Sequence, residues 1–575
     1  MKKFGNIEVA WVLDEIAALL EIKGEDIFKI RAYQRAARAI ENLDVDITDL
    51  FRQKKLNGIS GVGKNIAAKL EELLSTGRLI YLEKLRGEIP PGLVEMMNVP
   101  GVGPKMARTF YEKLGISSLK ELEDAARGKK VRSLPGMGSK TELNILRGIE
   151  MLKSGGRGRI TLGLAWTVAD SLLNFLRSLP WVVEAETAGS TRRMKEAIGD
   201  IDIVVGTEEP EKVAEVFVKH PQVKEVLAHG STKISVLLKF GVQVDLRLVR
   251  PDEFWTALHH FTGSKEHNVR LRERAHKIGI KINEYGLFKT DSDERIPVSG
   301  EEDIYTALGL AYIPPELRED RGEVFAAEEG RLPQVIGYDD MKGDLHLHSN
   351  WSDGVNSIEQ IVEQAKKMGY EYIAITDHSR SLGIARGLST ERLTEQQEVI
   401  NALQKEEAIH ILTGVEADIL ANGDMDYPDE VLAEKDIVIG SIHSGFRQDK
   451  EKITERIISA IKNEHVDIIA HPTGRLIGRR DPYEVDMDRI FEMAAKYNTV
   501  LEINSSPDRL DLNDLYVRQA KEMGIKIAIN TDAHEIIRMH EIRYGIGTAR
   551  RGWLEKEDVI NTWDYDKLRR FLKNR

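Results

Sequence analysis

Cysteine is absent from the 575 residues. No disulfide can therefore brace the fold, and any metal ion must sit on His, Asp or Glu. Nor does any apolar run approach the roughly 18 residues that span a bilayer. The N-terminal stretch MKKFGNIEVAWVLDEIAALLEIKGED opens on a lysine pair but carries acids inside its apolar part, which argues against a secretory signal. These absences predict a cytoplasmic protein without a membrane partner. Net positive charge is also lacking: the formal charge is −12, which taken globally argues against nucleic acid. The average hides a local exception. Between 127 and 159 the basic residues are Arg127, Lys129, Lys130, Arg132, Lys140, Arg147, Lys153, Arg157 and Arg159, opposed only by Glu142 and Glu150. Such a patch is what phosphate-backbone binding needs. The length implies about three to five domains.

Over the first 150 residues apolar positions recur at helical spacing, as in Trp11, Ile16, Leu19, Leu20 and Ile27. Three related glycine turns punctuate them: GISGVGKNIAAKL (58–70), NVPGVGPKMARTF (98–110) and LPGMGSKTELNIL (134–146). Each opens a helix. Glycines at 61 and 63, 101 and 103, and 136 and 138 allow a tight turn that exposes amides at a helix start, and Lys64, Lys105 and Lys140 follow. Amides so placed hold a phosphate without reading the base. This is the helix-hairpin-helix arrangement of sequence-independent DNA binding; the plainer reading is that some copies only pack helices. By residue the candidates are Gly61, Gly63, Lys64, Gly101, Gly103, Lys105, Gly136, Gly138 and Lys140.

After SGGRGR (154–159), a linker by composition, the pattern turns to strands: IDIVVG, ISVLLKF and VQVDLRLV. In GDIDIVV, Asp200 and Asp202 stand two apart and so share one face of a strand. In GVQVDLRLV, Asp245 lies with Gln243 and Arg247 opposite Val242, Val244, Leu246 and Leu248. Three carboxylates converging on adjacent strands repel one another unless divalent cations lie between them. A lone D-x-D is more often a solvated face. Here AGSTRRM (188–194) adds a small-residue turn, a hydroxyl and two arginines suited to a triphosphate.

This nucleotidyltransferase pattern resembles the family X DNA polymerases, of which DNA polymerase beta is the best-known member. HFTGSKEHNVRLRERAHKIGIKINEYGLF (260–288) resembles that family's thumb, and IFKIRAYQRAARAI with the first glycine turn resembles its N-terminal domain. The resemblance implies that Asp200, Asp202 and Asp245 bind two Mg²⁺ or Mn²⁺ ions, and that Asp245 assists deprotonation of the primer 3′-hydroxyl. It implies that Arg247 positions the carboxylates, and that Gly189, Ser190 and Arg193 take the triphosphate. His260, Phe261 and Gly263 would line the sugar pocket, with Asn268 on the base or minor-groove side. Lys29 and Tyr33 match a pocket for the 5′-phosphate of a gap. Lys69 matches the Schiff-base lysine of a deoxyribose-phosphate lyase, but Asn65 replaces a lysine of that pocket and Phe28 a histidine, which speaks against lyase activity. His260 stands where the vertebrate enzymes carry tyrosine, which bears on ribonucleotide discrimination.

From 342 strand and helix alternate. Strands are expected at GDLHLH, YIAIT, IHILTGVE, DIVIGSIH, VDIIAH, TVLEIN and IKIAINTDAH, which predicts a βα barrel. Metal-ligand residue types fall at the C-terminal ends of six of these strands: His346 and His348 with Asp353 following, His378, Glu416, His443, His471, and Asp532 with His534. A βα barrel places its active site there. A lone strand-end histidine usually just satisfies a hydrogen bond, but nine such residues on one rim point to a metal centre of the Zn²⁺, Mn²⁺ or Fe type. His410, His465 and His540 fall off the pattern. Arg386, Arg475, Arg479 and Arg480 near the rim could hold a nucleic-acid backbone. The set resembles the PHP (polymerase and histidinol phosphatase) family. That resemblance implies three Mn²⁺ or Zn²⁺ ions: one on His346, His348, Glu416 and Asp532, a second on Glu416, His443 and His471, and a third on Asp353, His378 and His534.

Together the halves resemble the bacterial and archaeal PolX proteins. The expected fold is multidomain, α+β and α/β: a helical helix-hairpin-helix region, a nucleotidyltransferase palm with thumb, and a distorted (β/α)7 barrel. The expected divisions are 1–85 (N-terminal helical domain), 86–155 (fingers-type subdomain), 156–255 (palm), 256–315 (thumb), 316–338 (linker) and 339–575 (PHP). The polar stretch PPELREDRGEVFAAEEGRLP (314–333) carries the linker reading. The implied function is gap-filling synthesis in base-excision repair by a monomer acting on gapped or primed DNA and deoxynucleoside triphosphates. The barrel would add a 3′→5′ exonuclease and a 3′-phosphatase or abasic-site endonuclease. The alternatives are a DNA 3′-end hydrolase that uses its polymerase half only for binding, and a barrel that is a structural brace or a small-molecule phosphatase.

Overall fold

The structure, a computed structural model, describes residues 6–573 apart from 42, 44, 46, 98, 100–101, 136, 139–140, 143–144, 147–148, 150–158, 221 and 239–240. Gly101, Gly136 and Lys140, expected at the second and third glycine turns, therefore lie outside the described residues. No helix among the described residues is long and apolar enough to cross a membrane.

The chain divides into two compact units. The first holds the N-terminal helices, which close around two apolar cores. Val9, Leu13, Ile16 and Leu20 of the helix Asn6–Lys23 pack with Ile30, Ala37 and Ile40 of Ile27–Glu41 in a core that runs on to Leu93, past residue 85. The second core starts at Met96 and includes Val99, Phe110, Leu122 and Ile145. The first two glycine turns open helices as expected. Gly63 is the N-cap of Lys64–Thr76 and Gly103 that of Pro104–Leu114. Among the described turn glycines, Gly61 takes a left-handed conformation, with φ +84.

The palm is a five-stranded sheet in the spatial order Val182–Thr187, Asp200–Thr207, Gln243–Val249, Lys233–Leu238, Val223–His229. Alternation does the local work. Ile201, Ile203, Val244 and Leu246 are fully buried on the core side, which leaves Asp200, Asp202 and Asp245 on the other face of two neighbouring strands. Beyond the palm come the helices Phe254–Thr262 and Lys265–Lys277. A three-stranded antiparallel sheet, Ile280–Asn283, Gly286–Lys289 and Arg295–Ile296, then closes over Leu271, Leu287, Ile304, Tyr305 and Leu308.

Seven parallel strands form the C-terminal barrel in sequence order: Gly343–Leu347, Tyr372–Ile375, His410–Asp418, Ile437–Ser441, Ile468–Ile469, Val500–Asn504 and Ile527–Asn530. The first and last strands do not share a full ladder. A bridge between Leu347 and Ala533, with His348 N donating to Ala533 O at 3.1 Å, nearly closes the barrel.

The stretch 316–338, expected as an interdomain linker, is packed and ion-paired. Leu317 and Arg318 are buried, Glu323–Glu328 is helical, and several of the charges pair with other elements. Arg318 donates to Glu301 at 2.6 Å, and Glu301 also accepts two bonds from Arg192 of the palm at 3.0 and 2.7 Å. Glu323 pairs with His267 Nδ1 at 2.6 Å. Arg318 also stacks over the rings of Tyr305 and Tyr312. Composition reads these residues as solvated, but each finds an opposite charge on another element. The two arginines hold the Glu301 carboxyl far below the usual range, against a burial effect that would raise it. Removing one partner of a buried pair strands the other. Glu301→Ala should therefore destabilise the palm–thumb part by about 3–5 kcal/mol, read as a lowered melting transition in calorimetry. A loss below about 1 kcal/mol, the value of an exposed pair, would contradict this.

Candidate metal and nucleotide sites

In the palm, Asp200, Asp202 and Asp245 offer carboxylate oxygens that all lie within 4.8 Å of one another. Lys233 Nζ lies 2.6 Å from Asp245 Oδ2. Burial, then repulsion from Asp200 and Asp245, pushes Asp202 up to about 7. A trio in which one member resists ionisation is short of positive charge, and this is the fit that divalent cations meet. Gly189 makes the approach possible. Its φ is +57, and a Cβ there would lie 2.1 Å from Asp202 Oδ2.

A cleft of about 480 Å³ adjoins these carboxylates. Gly189, Ser190, Arg193, Asp200, Asp202, His260, Phe261, Gly263 and Asn268 all line it, so the expected triphosphate and sugar residues converge. Arg247 does not reach the cleft lining; its guanidinium lies 4.4 Å from the ring centroid of Phe261. Asn268 donates to the His260 carbonyl at 2.7 Å, and its own buried Oδ1 has no partner. Burial holds His260 below the usual imidazole range. The motif reading missed Lys195, Ser264, Lys265, Glu266, Arg272 and Glu319, which also line the cleft. Glu319 arrives from the stretch expected to be linker, so no local pattern pointed to it.

In the barrel all nine expected residues meet at the C-terminal rim. Glu416 is the hub: His378 Nδ1, His471 Nε2, His443 Nε2, His346 Nε2 and His348 Nε2 lie 2.7, 3.1, 3.3, 3.5 and 3.6 Å from its oxygens. Asp532 sits 3.1 Å from His348 Nε2 and 3.7 Å from His346 Nε2. Asp353 sits 3.2 Å from His534 and 3.5 Å from His378. Tight groups form around His346–His348–Glu416, around His378–Glu416–His443 and around His348–Asp353–His378–His534, so His348 and His378 each belong to two. For all these short separations, buried nitrogens of His346, His348 and His378, and Glu416 Oε2, find no partner in hydrogen-bond geometry among the described residues. Burial, then the neighbouring His534 and His378, pushes His348 down to about 3. An imidazole held unprotonated, as His348 is, with unspent lone pairs beside carboxylates fits a divalent metal ion.

A surrounding layer orients this set. Glu502 accepts from His346 Nδ1 at 2.7 Å and from the His471 amide at 2.9 Å, and Asp418 pairs with His443 Nδ1 at 2.9 Å. Sequence reasoning passed over Glu502, although TVLEIN was the one strand without an assigned ligand. Of the rim arginines, Arg386 and Arg479 are exposed. Arg475 is spent on the Arg509 carbonyl and on Glu196, at 2.8 and 2.7 Å, which removes it from the expected backbone-binding set. Arg480 donates to the Gly474 carbonyl and covers the Phe446 ring.

In the N-terminal unit, Tyr33 stacks on Tyr81, and Lys69 and Lys29 lie 4.7 and 5.9 Å from the Tyr81 ring centre. Burial, then the Lys29 charge, lowers the affinity of Lys69 for its proton. Among the described residues nothing lies within 4 Å of where a Cβ would stand on Gly63, Gly103 or Gly138, so the backbone there is open to a ligand.

A polymerase palm and thumb followed by a metal-dependent hydrolase barrel is the class that these elements define. Residues 4–79 match a helix-hairpin-helix domain, 93–150 a SAM-like helix-hairpin-helix tandem, 257–319 the DNA polymerase beta thumb and 344–506 the PHP domain. The DNA polymerase/3′-5′ exonuclease PolX of Bacillus subtilis (strain 168) is 41% identical over 571 residues, which cover 98% of this chain and 99% of the relative. The chain belongs to the PolX family. A probable phosphatase of Thermoanaerobacter sp. (strain X514) is 32% identical over 244 residues, 40% of this chain and 94% of that protein.

Two outcomes test this geometry. Gly189→Ala should push Asp202 aside and lower kcat for nucleotide incorporation on the order of a hundredfold, measured by single-turnover extension; an unchanged rate would mean the close approach is dispensable. Glu502→Gln should weaken Mn²⁺ binding to the barrel by about 10- to 100-fold, measured by calorimetric titration, with the palm site unaffected.

Proposed function

We propose that this protein is a DNA-directed DNA polymerase that fills short gaps during base-excision repair, and that its barrel is a 3′→5′ exonuclease that prepares the primer end. Polymerase and exonuclease follow from family membership. The repair role, the ions and the residue roles are our reading. One observation carries it: two separate clusters of metal-ligand side chains, one beside a nucleotide-sized cleft and one at a barrel rim.

Divalent ions, when bound, polarise phosphoryl oxygens and ease loss of a proton from a hydroxyl or water. In this reading Asp200, Asp202 and Asp245 hold two Mg²⁺ or Mn²⁺ ions, and Asp245 receives the proton of the primer 3′-hydroxyl. Ser190 donates its hydroxyl to the triphosphate and Arg193 pairs with it. Arg247 fixes the carboxylate face, while Phe261 and Gly263 border the sugar. The new bond joins the primer 3′-oxygen to the α-phosphorus; the α–β phosphoanhydride breaks and pyrophosphate leaves. His260 borders the sugar in place of tyrosine, and Asn268 lies on the base or minor-groove side.

At the barrel, His346, His348, Glu416, Asp532, His443, His471, Asp353, His378 and His534 hold up to three Mn²⁺ or Zn²⁺ ions in the same reading. Glu502 and Asp418 keep His346 and His443 oriented. Water adds to the terminal phosphodiester, the bond to the 3′-oxygen breaks, and a 5′-mononucleotide leaves. The remaining 3′-hydroxyl is what the palm requires. The same rim suits removal of a 3′-phosphate or cleavage at an abasic site. The glycine turns around Gly63, Gly103 and Gly138, with Lys64 and Lys105, hold the DNA backbone, and Lys29, Tyr33 and Lys69 a 5′-phosphate. Each cluster is complete within one chain, which supports a monomer; a cytoplasmic setting belongs to the same reading.

The reading predicts separable sites. On a one-nucleotide gap Asp200→Ala should lose synthesis, and on a 3′-overhang His346→Ala should lose degradation, each by about 10²–10³-fold or more. Each should retain the other activity, assayed with Mg²⁺ and Mn²⁺. Loss of both activities in either variant overturns independent sites. Retained synthesis in Asp200→Ala favours the end-processing hydrolase instead.

A further inference from the structure

Arg193 does not stand free in the cleft. Its Nε donates to Glu319 Oε1 at 2.9 Å and its Nη1 to the Thr262 carbonyl at 2.6 Å. Glu319 lines the same cleft as Ser190 and Asp202. A carboxylate at this place competes with a triphosphate for Arg193 and repels it. Something must hold that charge when nucleotide arrives.

The barrel supplies a candidate. Arg551, the last residue of the helix Ile542–Arg551, donates from Nη1 to Glu319 Oε1 at 2.9 Å and to the Arg193 carbonyl at 2.7 Å. Its Nε and Nη2 are anchored on Asp514 at 3.0 and 2.8 Å, and Arg321 shares that anchor at 2.9 Å. Arg551 is 4% exposed. Lys195, the other cation near Glu319, is 3.8 Å away and more exposed. Packing fixes the delivery of Arg551. A Cβ on Gly547, one turn earlier, would lie 2.6 Å from Met194 Cε and 3.0 Å from Met194 Cβ. A mid-helix glycine costs about 1 kcal/mol relative to alanine, and here it lets the barrel helix pass against the turn that carries Ser190 and Arg193.

We infer that Arg551 is a positioning residue for the polymerase reaction, contributed by the hydrolase barrel: it holds and neutralises Glu319, so that Arg193 can exchange that carboxylate for the triphosphate. This rests on the reading of Arg193 as a triphosphate ligand. Arg551 itself touches no nucleotide. Polymerase and barrel are then coupled through one shared carboxylate, and nucleotide affinity depends on a residue outside the polymerase domains.

The test is steady-state incorporation on a one-nucleotide gap by the full chain. Arg551→Met should raise KM for the deoxynucleoside triphosphate at least about fivefold while kcat changes less than about twofold. Glu319→Gln, which leaves Arg193 anchored on Thr262, should lower KM for the deoxynucleoside triphosphate, because the competing charge is gone. The double variant Arg551→Met/Glu319→Gln should return to the KM of Glu319→Gln, because the charge that needed holding is gone. A merely structural role for Arg551 would not be rescued in this way. An unchanged KM in Arg551→Met, or a raised KM that persists in the double variant, overturns the inference. Exonuclease activity on a 3′-overhang reports folding. If Arg551→Met fails to fold, Arg551→Lys takes its place: it keeps the cation, and a tenfold rise in KM that Glu319→Gln does not reverse counts against the inference. Arg193→Ala separates the two levels. If it leaves KM unchanged, the triphosphate reading itself fails; if it raises KM while the Arg551 and Glu319 variants do not, only the coupling fails.

Discussion

Carboxylates brought within a few ångströms of one another in a low-dielectric setting cannot all stay ionised without counter-charge. In the palm this crowding falls on Asp200, Asp202 and Asp245, with Lys233 offering a cation to Asp245. At the barrel rim it is softened by six imidazoles around Glu416, Asp532 and Asp353, several with lone pairs that no protein group uses. Both arrangements are costly for an apoprotein and are offset when divalent ions bind. Sheet and barrel geometry exist here to hold that cost in place: alternation turns the palm acids to one face, and parallel strands deliver the barrel ligands to one end.

Polymerase and barrel are more than neighbours in the sequence. Arg318, Glu301 and Arg192 tie the end of the thumb to the palm, while Arg475–Glu196 and Arg551–Glu319 carry the ties to the barrel. These are mostly buried pairs, and such pairs specify an arrangement more surely than they stabilise it. A chain that carries a polymerase site and an exonuclease barrel gains from a fixed frame in that part of the molecule.

Much of the chemistry was legible along the chain because its signals are local. H-L-H, D-A-H and D-x-D need only the two-residue period of a strand to place both members on one face, and strand-end position in an alternating pattern is enough to predict the barrel rim. The glycine turns announce themselves by spacing, and the structure opens helices at Lys64 and Pro104 where two of them stand. Less legible was anything that depends on a partner far along the chain. Glu502 looked like one more strand residue until its contact with His346 appeared. Arg475 looked like a DNA-facing cation but is spent on Arg509 and Glu196.

The stretch 316–338 makes the division plain. Its Glu, Asp and Arg content reads as solvated linker, because composition assigns each charge to water. In three dimensions Arg318 meets Glu301, Glu323 meets His267, and Glu319 meets both Arg193 and Arg551. By itself, the sequence determined which carboxylates and imidazoles share a strand face or a strand end and which periodicities bring neighbours together, since both are properties of short segments. Only the tertiary structure decided which charges pair across domains, because Coulomb attraction depends on separation in space and not on separation along the chain.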